Sequence, residues 1–129
     1  MNLPVLTIAS GNKGKVSEIS EMLDVLSLKV QKQPDYLDVE ETGNTYFENA
    51  LLKAKAAALE TKTWEWADDS GIEVDILDGR PGIYSARYAK TNDEKIKKLI
   101  NELSDSPYRS ARFITVSYTH LTLPTSFLV

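Results

Sequence analysis

Apolar positions along this chain sort into short extended runs and helical stripes, and the breaks between them mark its elements. Leu3-Pro4-Val5-Leu6-Thr7-Ile8-Ala9-Ser10 is apolar and β-prone, then breaks at Gly11-Asn12-Lys13-Gly14. That predicts a strand followed by a loop. Beyond the loop, Val16, Ile19, Met22, Leu23 and Leu26 recur at helical spacing, so a helix lays this stripe on a sheet and turns Glu18, Glu21 and Asp24 to water. Residues 28–33 read as a short strand, and residues 34–43 as a polar, acidic connection. Thr45-Tyr46-Phe47-Glu48 has capping-box spacing and opens a helix carrying Phe47, Leu51, Ala54 and Ala58. Its alanines favour the helix and permit close approach to neighbours.

Residues 63–69 and 72–76 read as two short extended segments, with Asp68-Asp69-Ser70-Gly71 at a bend between them. Gly79-Arg80-Pro81-Gly82 is a turn, residues 84–89 a loop, and residues 92–103 a helix with Ile96, Leu99, Ile100 and Leu103 on one face. Ala111-Arg112-Phe113-Ile114-Thr115 begins another strand. There is no repeat or low-complexity tract, and the order of elements indicates α/β or α+β with a mixed sheet.

The 129 residues, 42% hydrophobic and 26% charged, have ordinary globular composition. No run is long and apolar enough to span a bilayer, and no leader is evident, so we expect a cytoplasmic protein. The absence of cysteine excludes a disulfide framework, thiolate metal sites and a cysteine nucleophile. A net charge of −4 disfavours binding to a nucleic-acid polymer. An anionic ligand therefore needs a local cationic cluster.

Such a cluster is present. Ser10-Gly11-Asn12-Lys13-Gly14-Lys15, between strand and helix, offers backbone N–H groups, a positive helix end and two lysines to a phosphate. Taken alone it is equally well a glycine turn with solvated lysines. It is not a Walker A loop, since Val16 stands where the magnesium-binding hydroxyl belongs. Two acidic pairs, Glu40-Glu41 and Asp68-Asp69, flank the alanine-rich helix on turns, and grouped carboxylates beside a phosphate cradle suit Mg²⁺. Either pair alone reads more simply as solvated acids. Lys53 or Lys55 on that helix could reach a phosphate, whereas His120, the only histidine, has no partner for a triad or a metal site.

The order Ser-Gly-Asn-Lys-Gly-Lys-Val-Ser-Glu-Ile (10–19), Glu-Glu-Thr-Gly-Asn-Thr-Tyr-Phe-Glu-Asn-Ala-Leu-Leu-Lys-Ala (40–54), Ala-Asp-Asp-Ser-Gly-Ile-Glu-Val-Asp (67–75) and Gly-Arg-Pro-Gly-Ile-Tyr-Ser-Ala-Arg-Tyr-Ala (79–89) resembles the Ham1 family of inosine/xanthosine triphosphate pyrophosphatases. The resemblance runs from about residue 3 to residue 113. It implies an α/β protein with an elongated mixed β-sheet, flanking helices, two lobes around a cleft, and a homodimer. It also implies Mg²⁺-dependent hydrolysis of non-standard purine nucleoside triphosphates such as ITP, dITP and XTP to the monophosphate and pyrophosphate. Carried over by position, Ser10, Gly11, Asn12, Lys13, Gly14 and Lys15 bind the triphosphate, with Asn12 and Lys15 the firmest members. Lys53 adds a second cation and Ser70 touches substrate. Asp69 is the general base and shares the metal with Glu40 or Glu41, and Asp68 supports it. Arg87 is either a cleft residue or a structural anchor. A Maf-type nucleotide pyrophosphatase shares the strand-loop-helix opening but should lack the Ala-Asp-Asp-Ser-Gly and Pro-Gly-Ile-Tyr-Ser-Ala-Arg-Tyr motifs.

The pattern departs from the family near its end. The family's Phe-Gly-Tyr-Asp motif and its purine-reading lysine and Ser-His-Arg motif do not occur. Residues 116–129 carry no Lys, Arg, Asp or Glu. Residues 116–125 match the translation of a common transposon-based sequencing adapter. We therefore expect residues 1–115 to be the N-terminal part of one family domain, its second lobe incomplete, and residues 116–129 to be a non-native tail. The alternative to an active enzyme is then a catalytically incompetent fragment, exposing apolar surface and binding at most polyphosphate and Mg²⁺.

Overall fold

A computed structural model describes residues 3–120. It contains a four-stranded mixed sheet in the order β2-β1-β3-β4, formed by β1 (Val5–Ile8), β2 (Lys29–Lys32), β3 (Trp64–Val74) and β4 (Ala111–His120). β2 and β3 flank β1 in parallel, and β4 closes the other side of β3 antiparallel. Three helices connect them: α1 (Lys13–Met22), α2 (Tyr46–Thr61) and α3 (Asn92–Leu103).

The expected helices form where caps and stripes placed them. Thr45 accepts the Glu48 N–H at 3.0 Å. The reciprocal arm falls one residue earlier than in an ideal capping box, because the Glu48 carboxylate takes the N–H of Asn44. On α2 the buried face is Asn49, Ala50, Ala54 and Ala57, while Phe47 lies half-exposed with its ring edge-on to Tyr118. Ala54 and Ala57 meet Ala9 and Ala67 in a core of alanines, which lets the helix axis approach the sheet closely. The α1 stripe is covered only in part: the helix ends at Met22, and Met22 and Leu26 are exposed.

Two local expectations are corrected. Residues 63–76 do not form two segments around a bend, because β3 runs unbroken from Trp64 to Val74, paired with β4 from Glu65 to Val74. Gly71 serves close approach rather than a turn. A Cβ there would lie 2.2 Å from the Gly82 carbonyl oxygen. Residues 82–87 are a short 3₁₀ helix instead of a loop, and it covers the β3 edge that β1 leaves unpaired. The Ser85 hydroxyl accepts the Ile72 N–H at 3.0 Å and donates to the Gly82 carbonyl at 2.6 Å. The strand expected to begin at Ala111 forms as β4 and runs to His120, with Val116, Tyr118 and His120 half-buried and Ser117 and Thr119 exposed. This alternation is what one face of a ladder requires. The remainder of the expected tail lies outside the described residues.

Glu65 is fully buried on β3 beneath the end of α2. Its Oε1 accepts from Thr61 and Thr63 at 2.6 and 3.0 Å. Burial pushes its carboxyl up, and the two hydroxyl donors pull only partly back. Apolar side chains also stand open to solvent: Phe113 is 72% exposed, and Ile96 and Ile100 are each 56% exposed. Among the described residues no helix is long and apolar enough to cross a membrane.

The contact at Gly71 is testable by adding a single methyl group. Gly71→Ala must push the 3₁₀ segment off β3, at a cost of about 1–3 kcal/mol. Urea unfolding should show a lower midpoint with an unchanged slope. An unchanged midpoint would remove the close approach from the account of this segment.

Candidate active site

The site arises where β3 outruns β1. Their pairing ends at Ile8 and Trp66, so Asp68 and Asp69 lie just past the carboxyl end of β1. The chain leaves β1 through α1 to β2 on one side and returns through α2 to β3 on the other. In open α/β sheets this reversal opens a crevice at the carboxyl ends of the strands.

Successive strand residues face opposite ways, and the structure uses that alternation. Asp68 receives Lys15 Nζ of α1 at 2.9 Å, whereas Asp69 Oδ2 receives Asn49 Nδ2 of α2 at 3.2 Å. The two aspartates are both buried. They are not a carboxylate pair on a turn, which corrects the expected placement: they sit within a continuous strand and address different helices.

Two hollows meet at this point. One, of about 300 Å³, is bounded by Ser10, Gly11 and Leu37. The other, of about 620 Å³, runs from Asp69 and Ser70 past Ile72 to Ile96 and Phe113. Lys15, Glu41 and Lys53 border both. Lys53 Nζ lies 3.5 Å from Glu41 Oε1. Burial pushes the Asp69 carboxyl up, the Asn49 amide opposes this, and the facing charge of Glu41 raises it further against the pull of Lys53.

The remaining candidates divide. Asn12, Lys13 and Gly14 border neither hollow. Asn12 caps α1, its Oδ1 accepting the Lys15 N–H at 3.1 Å, and Ser10 Oγ accepts the Asn12 N–H at 3.1 Å. Those side chains hold the loop in the shape that presents the helix end. Glu40 lies with Arg87 along a separate hollow, so the structure brings Glu41 rather than Glu40 to Asp69. Arg87 anchors the same loop: its Nη2 donates to the Glu41 carbonyl at 3.1 Å, and its guanidinium lies 5.5 Å from the Tyr84 ring centroid. Ser70 Oγ accepts from Thr115 at 3.2 Å. Lys55 is exposed on α2, and His120 pairs opposite Glu65 at the other end of β3.

Among the described residues no three His, Cys, Asp or Glu side chains gather as a metal cluster. The Asp69–Glu41 pair still fits Mg²⁺, which commonly takes one or two protein carboxylates and completes its shell with water and substrate phosphate. Two facing acids, one raised by burial and by its neighbour's charge, are relieved by a cation between them. Sequence reasoning missed Asn49. Its signal was a polar side chain on the alanine stripe of α2, a position that burial tolerates only when the amide is hydrogen-bonded.

Residues 6–126 match the Ham1 family. Among similar proteins, the dITP/XTP pyrophosphatase of Synechococcus sp. (strain CC9311) is 56% identical over 109 residues, 84% of this chain and 53% of that protein. That of Synechocystis sp. (strain ATCC 27184 / PCC 6803 / Kazusa) is 46% identical over 114 residues, 88% of this chain and 59% of that protein. The Staphylococcus aureus Ham1 protein superposes with a TM-score of 0.80 at 40% identity, over 92% of this chain and 64% of that one. A HAM1 protein from Coxiella burnetii gives 0.83 at 37% identity over the same shares. The chain thus spans about half the length of the curated relatives it matches.

The raised Asp69 carboxyl makes stability depend on pH with a definite sign. Because its folded pKa exceeds the unfolded one, ionisation opposes folding: no penalty exists below the ordinary aspartate range, and it grows as pH rises through the folded pKa. In metal-free buffer Asp69→Asn should therefore be more stable than the parent by about 1 kcal/mol at neutral pH. The gain should vanish below about pH 4. Thermal melts across this range check it, and a variant less stable at pH 7 would contradict the assigned electrostatics.

Proposed function

This chain belongs to the Ham1 family, and on that premise we propose that the whole protein is a Mg²⁺-dependent pyrophosphatase of non-standard purine nucleoside triphosphates. ITP, dITP and XTP are its expected substrates. The observation that carries this reading is the convergence of Lys15, Lys53, Glu41 and Asp69 where the two hollows join. The names of the relatives, dITP/XTP pyrophosphatase, supply the substrate class. The glycine-loop hollow takes the triphosphate and the longer hollow extends toward the nucleoside. A two-lobed cleft, a homodimer and a cytoplasmic setting belong to the same reading. So does the assignment of residues 116–129 as foreign to the gene, which a longer genomic clone encoding the same residues at this locus would refute.

Lys15 and Lys53 offset the negative oxygens that repel a nucleophile. Lys15 reaches them while held by Asp68, and Lys53 while held by Glu41. Asp69 and Glu41 would hold the metal, which neutralises phosphate charge and the developing pyrophosphate. Asp69 orients a water, accepts its proton as the oxygen bonds to the α-phosphorus, and the bond to the β-phosphate oxygen breaks to release pyrophosphate. Asn12, Ser10 and Gly14 shape the loop, Lys13 adds positive charge at its rim, and Ser70 faces the substrate. Arg87 works as an anchor of the Glu41 loop.

A second reading rests on the coverage of about half the relatives' length and on the exposed Phe113, Ile96 and Ile100. Under it, these 129 residues alone bind polyphosphate and Mg²⁺ without turnover. Pyrophosphate release from ITP, XTP and dITP, against ATP and GTP, separates the two when this chain and a full-length version are assayed together. Activity in the long form with silence in the short one selects the second reading for this chain. In the long form Asp69→Asn should lose about 10²–10⁴-fold in turnover while still binding nucleotide. Near-normal pyrophosphate release would remove Asp69 from the mechanism.

A further inference from the structure

Asn49 is fully buried on α2, and its amide is used at both ends. Nδ2 donates to Asp69 Oδ2 at 3.2 Å, and Oδ1 accepts the N–H of Gly43 at 2.8 Å. Gly43 lies two residues beyond Glu41, on the loop that brings Glu41 to the crevice. One side chain on a packed helix thus ties the Glu41 loop to the β3 strand carrying Asp69. The fit is close: a Cβ on Gly43 would lie 2.7 Å from Asn49 Oδ1 and 2.7 Å from Glu48 Cβ. The loop can pass the amide at this distance only without a side chain at residue 43. Lys53 at the Glu41 carboxylate and Arg87 at its carbonyl hold the loop from other directions, and neither touches Asp69 directly by hydrogen bond or ion pair.

We infer that Asn49 is a positioning residue that sets the separation of Glu41 from Asp69. The inference rests on the reading that these two carboxylates hold a divalent cation, and it deepens that reading. An amide is suited to the task because it offers a donor and an acceptor at fixed separation without charge. A carboxylate would repel Asp69, and an alanine would leave the half-buried Gly43 donor and an Asp69 oxygen without this partner. Preorganised carboxylates bind a small hard cation better than ones free to separate.

The test uses Mn²⁺ as the probe, its free concentration read by electron paramagnetic resonance, and amide hydrogen exchange at Gly43, both on the 129-residue chain. Loss of an outer-shell partner typically weakens a metal site by about 10–100-fold. Asn49→Ala should weaken Mn²⁺ binding by about tenfold or more, speed Gly43 exchange, and leave the far-ultraviolet circular dichroism intact. Gly43→Ala keeps Asn49 and both acids but displaces the loop, and it should also weaken Mn²⁺ binding. It decides the matter if Asn49→Ala does not fold. A folded Asn49→Ala with Mn²⁺ affinity within about twofold of the parent overturns the inference, as does unaltered Gly43 exchange. No Mn²⁺ binding by the parent overturns the carboxylate reading itself, and a rise in Gly43 exchange in Asn49→Ala then locates the failure in the acids rather than in the tie.

Discussion

Everything at the crevice depends on β3 continuing past the end of β1. Within the paired region β3 is an ordinary strand, parallel to β1 through Leu6, Thr7 and Ile8. Beyond it, strand alternation sends Asp68 to α1 and Asp69 to α2. Each helix therefore contributes to the same site from its own side of the sheet. The overrun also creates an exposed edge, which the 3₁₀ segment covers through Ser85 and the close approach of Gly82 to Gly71. Site and edge protection are two outcomes of one strand length.

That arrangement explains the unequal roles of the two aspartates. Asp68 is neutralised by Lys15, so burial does not leave it uncompensated. Asp69 has an amide donor, an opposing acid and a lysine farther off, and its carboxyl is held above the ordinary range. A fold optimised only for stability would have paired Asp69 as it pairs Asp68. The unrelieved acid is a local conflict of the kind that gathers at functional sites.

Much of the fold was legible because periodicity and caps are local signals. The α3 boundaries, Asn92 and Leu103, match the helix read from the spacing of Ile96, Leu99, Ile100 and Leu103, and α2 follows from Thr45. The error at Ser70-Gly71 has a physical source: glycine serves both turns and close backbone contacts, and only the distant Gly82 carbonyl decides between them. Similarly, adjacency in sequence suggested that Asp68 and Asp69 act together, whereas a strand separates neighbours onto opposite faces. That Glu41 and not Glu40 borders the hollow of Asp69 depends on how the loop is tied at Gly43 and at the Glu41 carbonyl, contacts that span distant residues. The raised carboxyl of Asp69 was likewise unreadable, since burial is a property of the assembled helix and sheet.

The alanine core has a consequence of its own for how this sequence can drift. Ala9, Ala54, Ala57 and Ala67 have almost nothing to lose by truncation, since only glycine is smaller. Inherited variation at these positions is therefore constrained in one direction, against growth, because a larger side chain would lift α2 from β3. Lifting α2 would carry Asn49 and Lys53 with it. The selective filter on four small, chemically inert residues is thus a filter on the crevice, imposed at a distance by the thickness of a methyl group.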